Sequence, residues 1–474
     1  MNGTEMFIHT CNLYTGMYGF HLKETLENHD PRAYVWQYMK RILSLLLVII
    51  TAFVGHAKAM TYEDERTTAR DFINLLETNN LIIHDPEITW PIQMISDRLA
   101  DHIKEPVYSF KVHVIRDRSI NAFTIPDGHI FVNVGLLLFA QDLDEVAAVI
   151  GHEMGHSQLR HIPENYDTQL KINAATILAV LAGTLLSSKN PEAGAAMIFS
   201  SLGGSENIRL AYSRQNEFTA DEYGKALLKA SGIDTTAMPR FLIRLNAFSG
   251  AGGAPEYLLT HPYTQNRVAN MREDPGKPRP DSKYWALYAS IAGLVLPGGE
   301  VGMRVSQVPE PYKSLALALS DTRAGNHTQA LALLDKIDLP VAKAYQGLNL
   351  FALGRKDEAY PLLKEYASSS RTRIALAEIL QERGEFDEAI KTIEPYQGEN
   401  VRVDYTLGIL YEKAQKPSLS HACFGRYFYK TDNFRASLYH IEAALKDQDS
   451  LPNDTVEELK NMSDMIKKKQ QNRQ

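Results

Sequence analysis

His152-Glu153-Met154-Gly155-His156 is the stretch of this chain best suited to chemistry. On a helix, residues four apart share a face, so both imidazoles can reach one ion. Glu153 lies beside them. Zinc lowers the pKa of water toward about 7, so a neighbouring carboxylate can take its proton at neutral pH and later pass it to the leaving amine of a cleaved peptide. Such a centre needs a third ligand, and Arg214-Gln215-Asn216-Glu217-Phe218-Thr219-Ala220-Asp221 supplies Glu217 and, one turn on, Asp221. Glu217 fits the metal. Asp221 would face the same site, to orient an imidazole or assist proton transfer. The plain alternative is an exposed acidic helix, against which Ala220, Ala226 and Leu227 give this segment an apolar side. The longer metzincin pattern needs Gly at 159 and His at 162, where this chain has Leu159 and Ile162. His161 therefore reads as a surface histidine or one that supports a ligand from behind.

These groups must be held by elements. Asp142 followed by Glu145 reads as a capping pair opening the helix that carries Val146, Ile150 and the motif. Before it, Ala122–Ile125 and His129–Val134 flank Pro126-Asp127-Gly128, which reads as a hairpin. The apolar run from Ile172 to Leu186 is short for a bilayer span and reads as a buried helix or a membrane-touching lid. Pro, Gly and charge cluster over Glu273–Pro280 as a linker. Beyond it the texture becomes Ala/Leu-rich. Gly325 precedes Ala330, Gly354 precedes Ala359 and Gly384 precedes Ala389, each by five residues and about 30 residues apart, near the tetratricopeptide period of roughly 34. Asn433 starts a further helix, and the Lys/Gln-rich tail after Ile466 is expected to fray. Such arrays usually bind rather than catalyse; a plain helical bundle is the alternative.

With 474 residues the chain has room for two or three domains. A net charge of -7, with no basic block, argues against nucleic acid as a partner. Cys11 and Cys423 form neither a ligand pattern nor a disulfide framework. Met39-Lys40-Arg41, an apolar run from Ile42 to Val54 and Ala57-Lys58-Ala59 form a secretory signal over 39–59, with an N-terminal anchor as the alternative. Residues 1–38 then read as an upstream extension from a mis-chosen start, with Met39 the initiator. The remaining organisation is a metallopeptidase domain over 60–272, a linker over 273–283, helical repeats over 284–466 and a polar tail over 467–474.

The motif at 152–156, Asn216-Glu217…Ala220-Asp221, Thr260-His261-Pro262…Arg267 and the strand before the motif helix together resemble the gluzincin zinc endopeptidases related to HtpX and the prenyl-protein proteases. The signal and the repeats resemble more closely the periplasmic BepA-type, beta-barrel assembly-enhancing proteases of Gram-negative bacteria. The resemblance spans about residues 65–445 and is strongest over 120–270. It implies an α+β, mainly helical fold, with a gluzincin-type peptidase domain containing a small β-sheet, followed by a TPR-like repeat domain. It also implies one zinc per chain on His152, His156 and Glu217, Glu153 as general base, and Asp221 as a catalytic or proton-donating carboxylate. The Gly128–Val134 strand, through Ile130 and Val132, would pair with an extended substrate by β-augmentation. In such relatives the His of the His-Pro segment can occupy the fourth zinc position and hold the enzyme inactive; here that is His261, with Arg267 supporting the cleft. A loop histidine before a proline is the alternative. The implied work is periplasmic quality control of misfolded or stalled outer-membrane proteins, with the repeats docking substrate or the assembly machinery and 172–186 as a peripheral membrane contact. A repeat chaperone or scaffold with secondary proteolysis is the rival from another class, and a small-peptide enzyme such as an aminopeptidase is another. Two departures stand out: beyond the signal the sequence offers none of the membrane spans of HtpX-like members, and it lacks the cysteine pairs of some BepA-like repeats, which puts redox control in doubt.

Overall fold

In the computed structural model the described residues are 61–161, 214–252, 255–261, 267–268, 277–399, 401–431 and 433–471. The extension over 1–38, the signal over 39–59, the apolar run over 172–186 and residues 273–276 of the linker lie outside them. The first helix, α1 (Tyr62–Thr78), opens on a Thr61–Asp64 capping box. It buries Phe72 and Leu76 against Phe123 and Phe131 of the sheet, edge-on at ring distances of 5.3 to 6.2 Å for Phe72.

The sheet has four strands: β1 (Ile82–Ile83), β2 (Lys111–Ile115), β3 (Ala122–Ile125) and β4 (His129–Asn133), in the spatial order β1-β2-β4-β3. The Pro126–Gly128 turn joins β3 to β4 as the sequence predicts, with Asp127 and Gly128 both at positive φ. A Cβ on Gly128 would sit 2.6 Å from the Ser109 carbonyl oxygen, so glycine is required twice over. β4 pairs in parallel with β2 from Lys111↔His129 to Ile115↔Asn133 and antiparallel with β3 from Ala122↔Val132 to Ile125↔His129. This corrects the expectation that β4 receives an extended substrate. Both of its edges are already hydrogen-bonded, and Ile130 and Val132 are fully buried in the core. A strand without a free edge cannot be augmented.

Helix α2 (Pro86–Ala100) packs on β2, α3 (Val134–Phe139) follows β4, and α4 (Leu143–Gln158) carries the motif. The main apolar core gathers Val132, Val149 and Ile150 with Leu228, Phe241 and Leu245. The last three belong to α5 (Arg214–Ala230) and α6 (Ala237–Gly252). A short helix, α7 (Glu256–Thr260), ends at His261.

From α8 (Ser282–Val295) onward the described chain is helical: α9 (Gly298–Arg304), α10 (Tyr312–Ala324), α11 (His327–Leu334), α12 (Pro340–Ala352), α13 (Lys356–Tyr366), α14 (Ser370–Glu382), α15 (Phe386–Ile393), α16 (Val401–Lys413), α17 (Pro417–Lys430), α18 (Phe434–Leu445) and α19 (Asn453–Gln471). Gly325, Gly354 and Gly384 all take positive φ at the turns inside successive pairs, while Ala330, Ala359 and Ala389 are fully buried where the pairs cross. In the next pairs Ser420 and Ser437 are buried, and each hydroxyl donates to a glycine carbonyl, of Gly408 and Gly425 respectively. The terminal helix continues to Gln471, past Ile466 where fraying was expected. Among the described residues no helix is long and apolar enough to cross a membrane.

Candidate metal centre

Helix α4 is fixed at its N-terminus before it presents any ligand. Asp142 accepts from the Glu145 backbone N–H at 2.9 Å, the N-cap predicted from sequence. Glu145 reaches back to the Gln141 N–H rather than to the cap residue. Arg240, buried on α6, then binds Asp142 at 2.8 Å, Glu145 at 2.9 Å and Asp234 at 3.1 Å. Alongside, Gly155 lets α5 approach so closely that a Cβ there would lie 2.9 Å from the Ala220 carbonyl oxygen. That contact sets Glu217, on α5, opposite the two histidines.

The sequence-predicted donors converge. Nε2 of His152 and Nε2 of His156 are 3.1 Å apart. Glu217 lies 3.2 Å from His156 Nε2 through Oε1 and 3.6 Å from His152 Nε2 through Oε2. His261 brings Nδ1 to 3.0 Å from Glu217 Oε1 and 3.2 Å from His152 Nε2. One ligand atom from each of His152, His156, Glu217 and His261 falls within 4.8 Å of all the others, and all four side chains are buried. A divalent ion held tetrahedrally at about 2.0–2.1 Å needs donors about 3.4 Å apart, so this cluster has the right size. Electrostatics agree for His156 and Glu217, whereas at His261 burial, which lowers its pKa, is outweighed by the Glu217 and Glu153 charges, which raise it. Burial pushes His156 well below the ordinary imidazole value, keeping it a neutral donor. Burial alone would raise Glu217, but the His261 charge leads the interactions that outweigh it and hold the carboxyl ionised. Neutral imidazole with carboxylate is a donor set for a divalent cation.

Glu153 is fully buried, and neither of its carboxylate oxygens accepts a hydrogen bond among the described residues. Oε1 lies 3.4 Å from His261 Nε2. Burial raises its pKa, with the charges of His261 and His152 opposing. An unsatisfied buried carboxylate beside a ligand cluster is costly unless something bound there engages it.

Asp221 approaches His152 from behind, with Oδ1 2.9 Å from Nδ1. Arg267 holds both of its oxygens, from Nε at 2.7 Å and from a terminal nitrogen at 2.8 Å. Burial would raise Asp221, yet the Arg267 and His152 hydrogen bonds pull its pKa below the usual carboxylate range. A carboxylate held on both oxygens by a guanidinium and set 2.9 Å behind His152 Nδ1 is placed to orient that imidazole, the first of the two roles expected of it. Arg267 also reaches Glu217 Oε2 at 2.7 Å, a bridging role the sequence did not reveal. Sequence reasoning missed Tyr257 as well. Its ring stacks on His261 with centroids 4.5 Å apart, and its spacing of four before His261 was the available signal.

Comparison with known proteins bears on this site. A model described as Peptidase family M48 matches residues 89–274, and one described as Tetratricopeptide repeat matches 370–393. A putative beta-barrel assembly-enhancing protease of Vibrio cholerae is 35% identical over 215 residues, 45% of this chain and 44% of that protein. The beta-barrel assembly-enhancing protease of Yersinia pestis is 27% identical over 309 residues, 64% of this chain and 60% of that one. The metalloprotease LoiP of Escherichia coli is 30% identical over 181 residues, 38% of this chain and 67% of its own length. The chain thus spans less than half the length of the first of these relatives. Since the family model covers every residue of the cluster and LoiP is matched over two thirds of its length, this chain belongs to peptidase family M48.

Proposed function

We propose that this chain is a zinc-dependent endopeptidase acting on misfolded or stalled outer-membrane proteins in the bacterial periplasm. The observation that carries the proposal is the convergence of three imidazoles and a carboxylate around one point, with the unsatisfied Glu153 carboxylate beside them. His152, His156 and Glu217 would hold the ion, and His261 would take the fourth place. When bound, zinc polarises a carbonyl oxygen and makes water acidic enough to lose a proton near neutral pH. Glu153 would take that proton and pass it to the leaving amine, a role its buried place beside the cluster and its raised pKa suit. Asp221 lies 2.9 Å behind Nδ1 of His152 and favours the ring proton there, which would keep the Nε2 lone pair for the ion. Arg267 balances the charge of Asp221 and Glu217.

An open catalytic centre needs one exchangeable position. His261 stands where that position would be, so the arrangement supports a closed resting state that substrate must displace. The nature of the substrate rests on relatives whose names state beta-barrel assembly enhancement. The repeats fit a docking role for substrate or assembly machinery, and the signal-like 39–59 segment fits export; residues 172–186 are the candidate for membrane contact. Purified protein offered a full-length unfolded β-barrel protein and dipeptide amides tests the reading. Cleavage of the former alone, abolished in Glu153→Gln, is expected; turnover of the amides alone points to a small-peptide enzyme. The matched tetratricopeptide segment favours one second reading, a chaperone or scaffold. It gains support if Glu153→Gln leaves the cellular phenotype intact.

A further inference from the structure

His161 has no task in that reading, yet its surroundings are built with care. α4 ends at Gln158, and Arg160 takes a positive φ of 53° that turns the chain back on itself. The turn is held by Arg160, which donates to the buried Glu65 at 2.6 Å and to the Tyr108 hydroxyl at 3.0 Å and lies over the Tyr62 ring. The reversal brings His161 Nδ1 to 2.9 Å from Nδ1 of His156. On its other side, His161 Nε2 is 3.2 Å from the Thr219 hydroxyl, which lies 3.1 Å from the carbonyls of both Gln215 and Asn216.

The proton pattern along this chain follows from its far end. Backbone carbonyls only accept, so with its hydrogen turned to α5 the Thr219 hydroxyl presents a lone pair to His161. His161 therefore carries its proton on Nε2 and offers the Nδ1 lone pair to His156. His156 in turn carries its proton on Nδ1, which leaves the Nε2 lone pair directed at Glu217 and His152. We propose that His161 and Thr219 are a positioning relay that fixes the metal-binding tautomer of His156. The inference rests on the metal centre proposed above. The two motif histidines are thus backed differently, His152 by an ionised carboxylate and His156 by a neutral relay. Because Thr219 sits between Glu217 and Asp221 on α5, the relay also ties the ligand helix to the motif helix.

The test is zinc affinity, measured by chelator competition on the purified full chain, together with the visible spectrum of the cobalt-loaded protein. His161→Phe, similar in shape but unable to accept, is expected to weaken zinc binding about 10- to 100-fold and to shift the cobalt bands. Thr219→Val should do the same to a smaller degree, whereas Thr219→Ser should restore wild-type affinity and spectrum. The double variant His161→Phe/Thr219→Val should bind no more weakly than His161→Phe alone, since one relay is broken only once. Wild-type affinity in His161→Phe would overturn the proposal, as would a Thr219→Ser variant as impaired as Thr219→Val. If His161→Phe does not fold, the Thr219 pair decides. Glu217→Gln separates the two layers: zinc lost there but kept in His161→Phe sinks the relay alone, and zinc unaffected in Glu217→Gln sinks the metal centre beneath it.

Discussion

Replacing Glu87 by Gln should stabilise this protein in mild alkali and leave it unchanged in mild acid. Glu87 stands in the first turn of α2, where its Oε1 accepts from the Ser368 hydroxyl at 2.9 Å, across the seam between the sheet side of the molecule and the repeats. Its Oε2 is sealed from solvent and without a hydrogen-bond partner among the described residues. Burial, reinforced by the Asp85 charge and only partly offset by its own backbone N–H, Ser368 and Arg371, pushes its pKa from 4.5 to about 7. At 1.36 kcal/mol per pH unit that rise corresponds to about 3 kcal/mol. A raised carboxyl favours folding while it is protonated. Its contribution is complete below about pH 4.5, is lost as pH climbs through about 7, and is flat above. Between about pH 5 and pH 8 the loss amounts to about 2.5 kcal/mol. Glu399 is also pushed to about 7, chiefly by burial, but it is present in both proteins and cancels in the comparison. Denaturant unfolding of wild type and Glu87→Gln across this range gives the difference directly. The variant should match wild type in acid and exceed it by about 2–3 kcal/mol near pH 8. Parallel stability curves would refute the burial argument.

Arg240→Met should destabilise the fold by about 3–5 kcal/mol, because Asp142 and Glu145 would be left buried with less counter-charge; denaturant unfolding measures it, and a loss within experimental error contradicts the anchoring role given to Arg240. Gly155→Ala should push α5 off α4 and lower zinc affinity along with stability, since the added Cβ meets Ala220 at 2.9 to 3.0 Å; full affinity at unchanged stability would show that the contact yields freely. His261→Ala should raise cleavage of an unfolded protein, with unchanged or lower activity counting against gating. Cys423, whose thiol burial pushes up to about 12, should resist alkylation at neutral pH until the chain is unfolded, as mass spectrometry would record.

The parts of the site legible in the sequence are those set by local geometry. His152 and His156 share a face because of helical spacing, and Glu217 and Asp221 project together for the same reason. The Asp142 cap, the Pro-Asp-Gly hairpin and the repeated Gly–Ala offset are likewise local, and each appears where the residues put it. What stayed hidden depends on pairing across long stretches of chain. Nothing in Gly128–Val134 reveals that Lys111–Ile115 occupies one edge of β4, so the substrate pairing implied by the resemblance met no objection in the sequence. The two roles open to Asp221, orienting an imidazole or moving a proton, could not be weighed without Arg267, which holds both its oxygens. His161 could not be assigned without the turn at Arg160, whose positive φ is anchored by Glu65, 95 residues earlier in the chain.

Zinc content of the wild-type chain beside Glu217→Gln is the most direct test of the account. Four buried donors drawn from α4, α5 and the end of α7 are claimed to serve one ion. The account predicts about one zinc per wild-type chain and a clear deficit in the variant, with both proteins folded. A Glu217→Gln chain that carries as much zinc as wild type would contradict it.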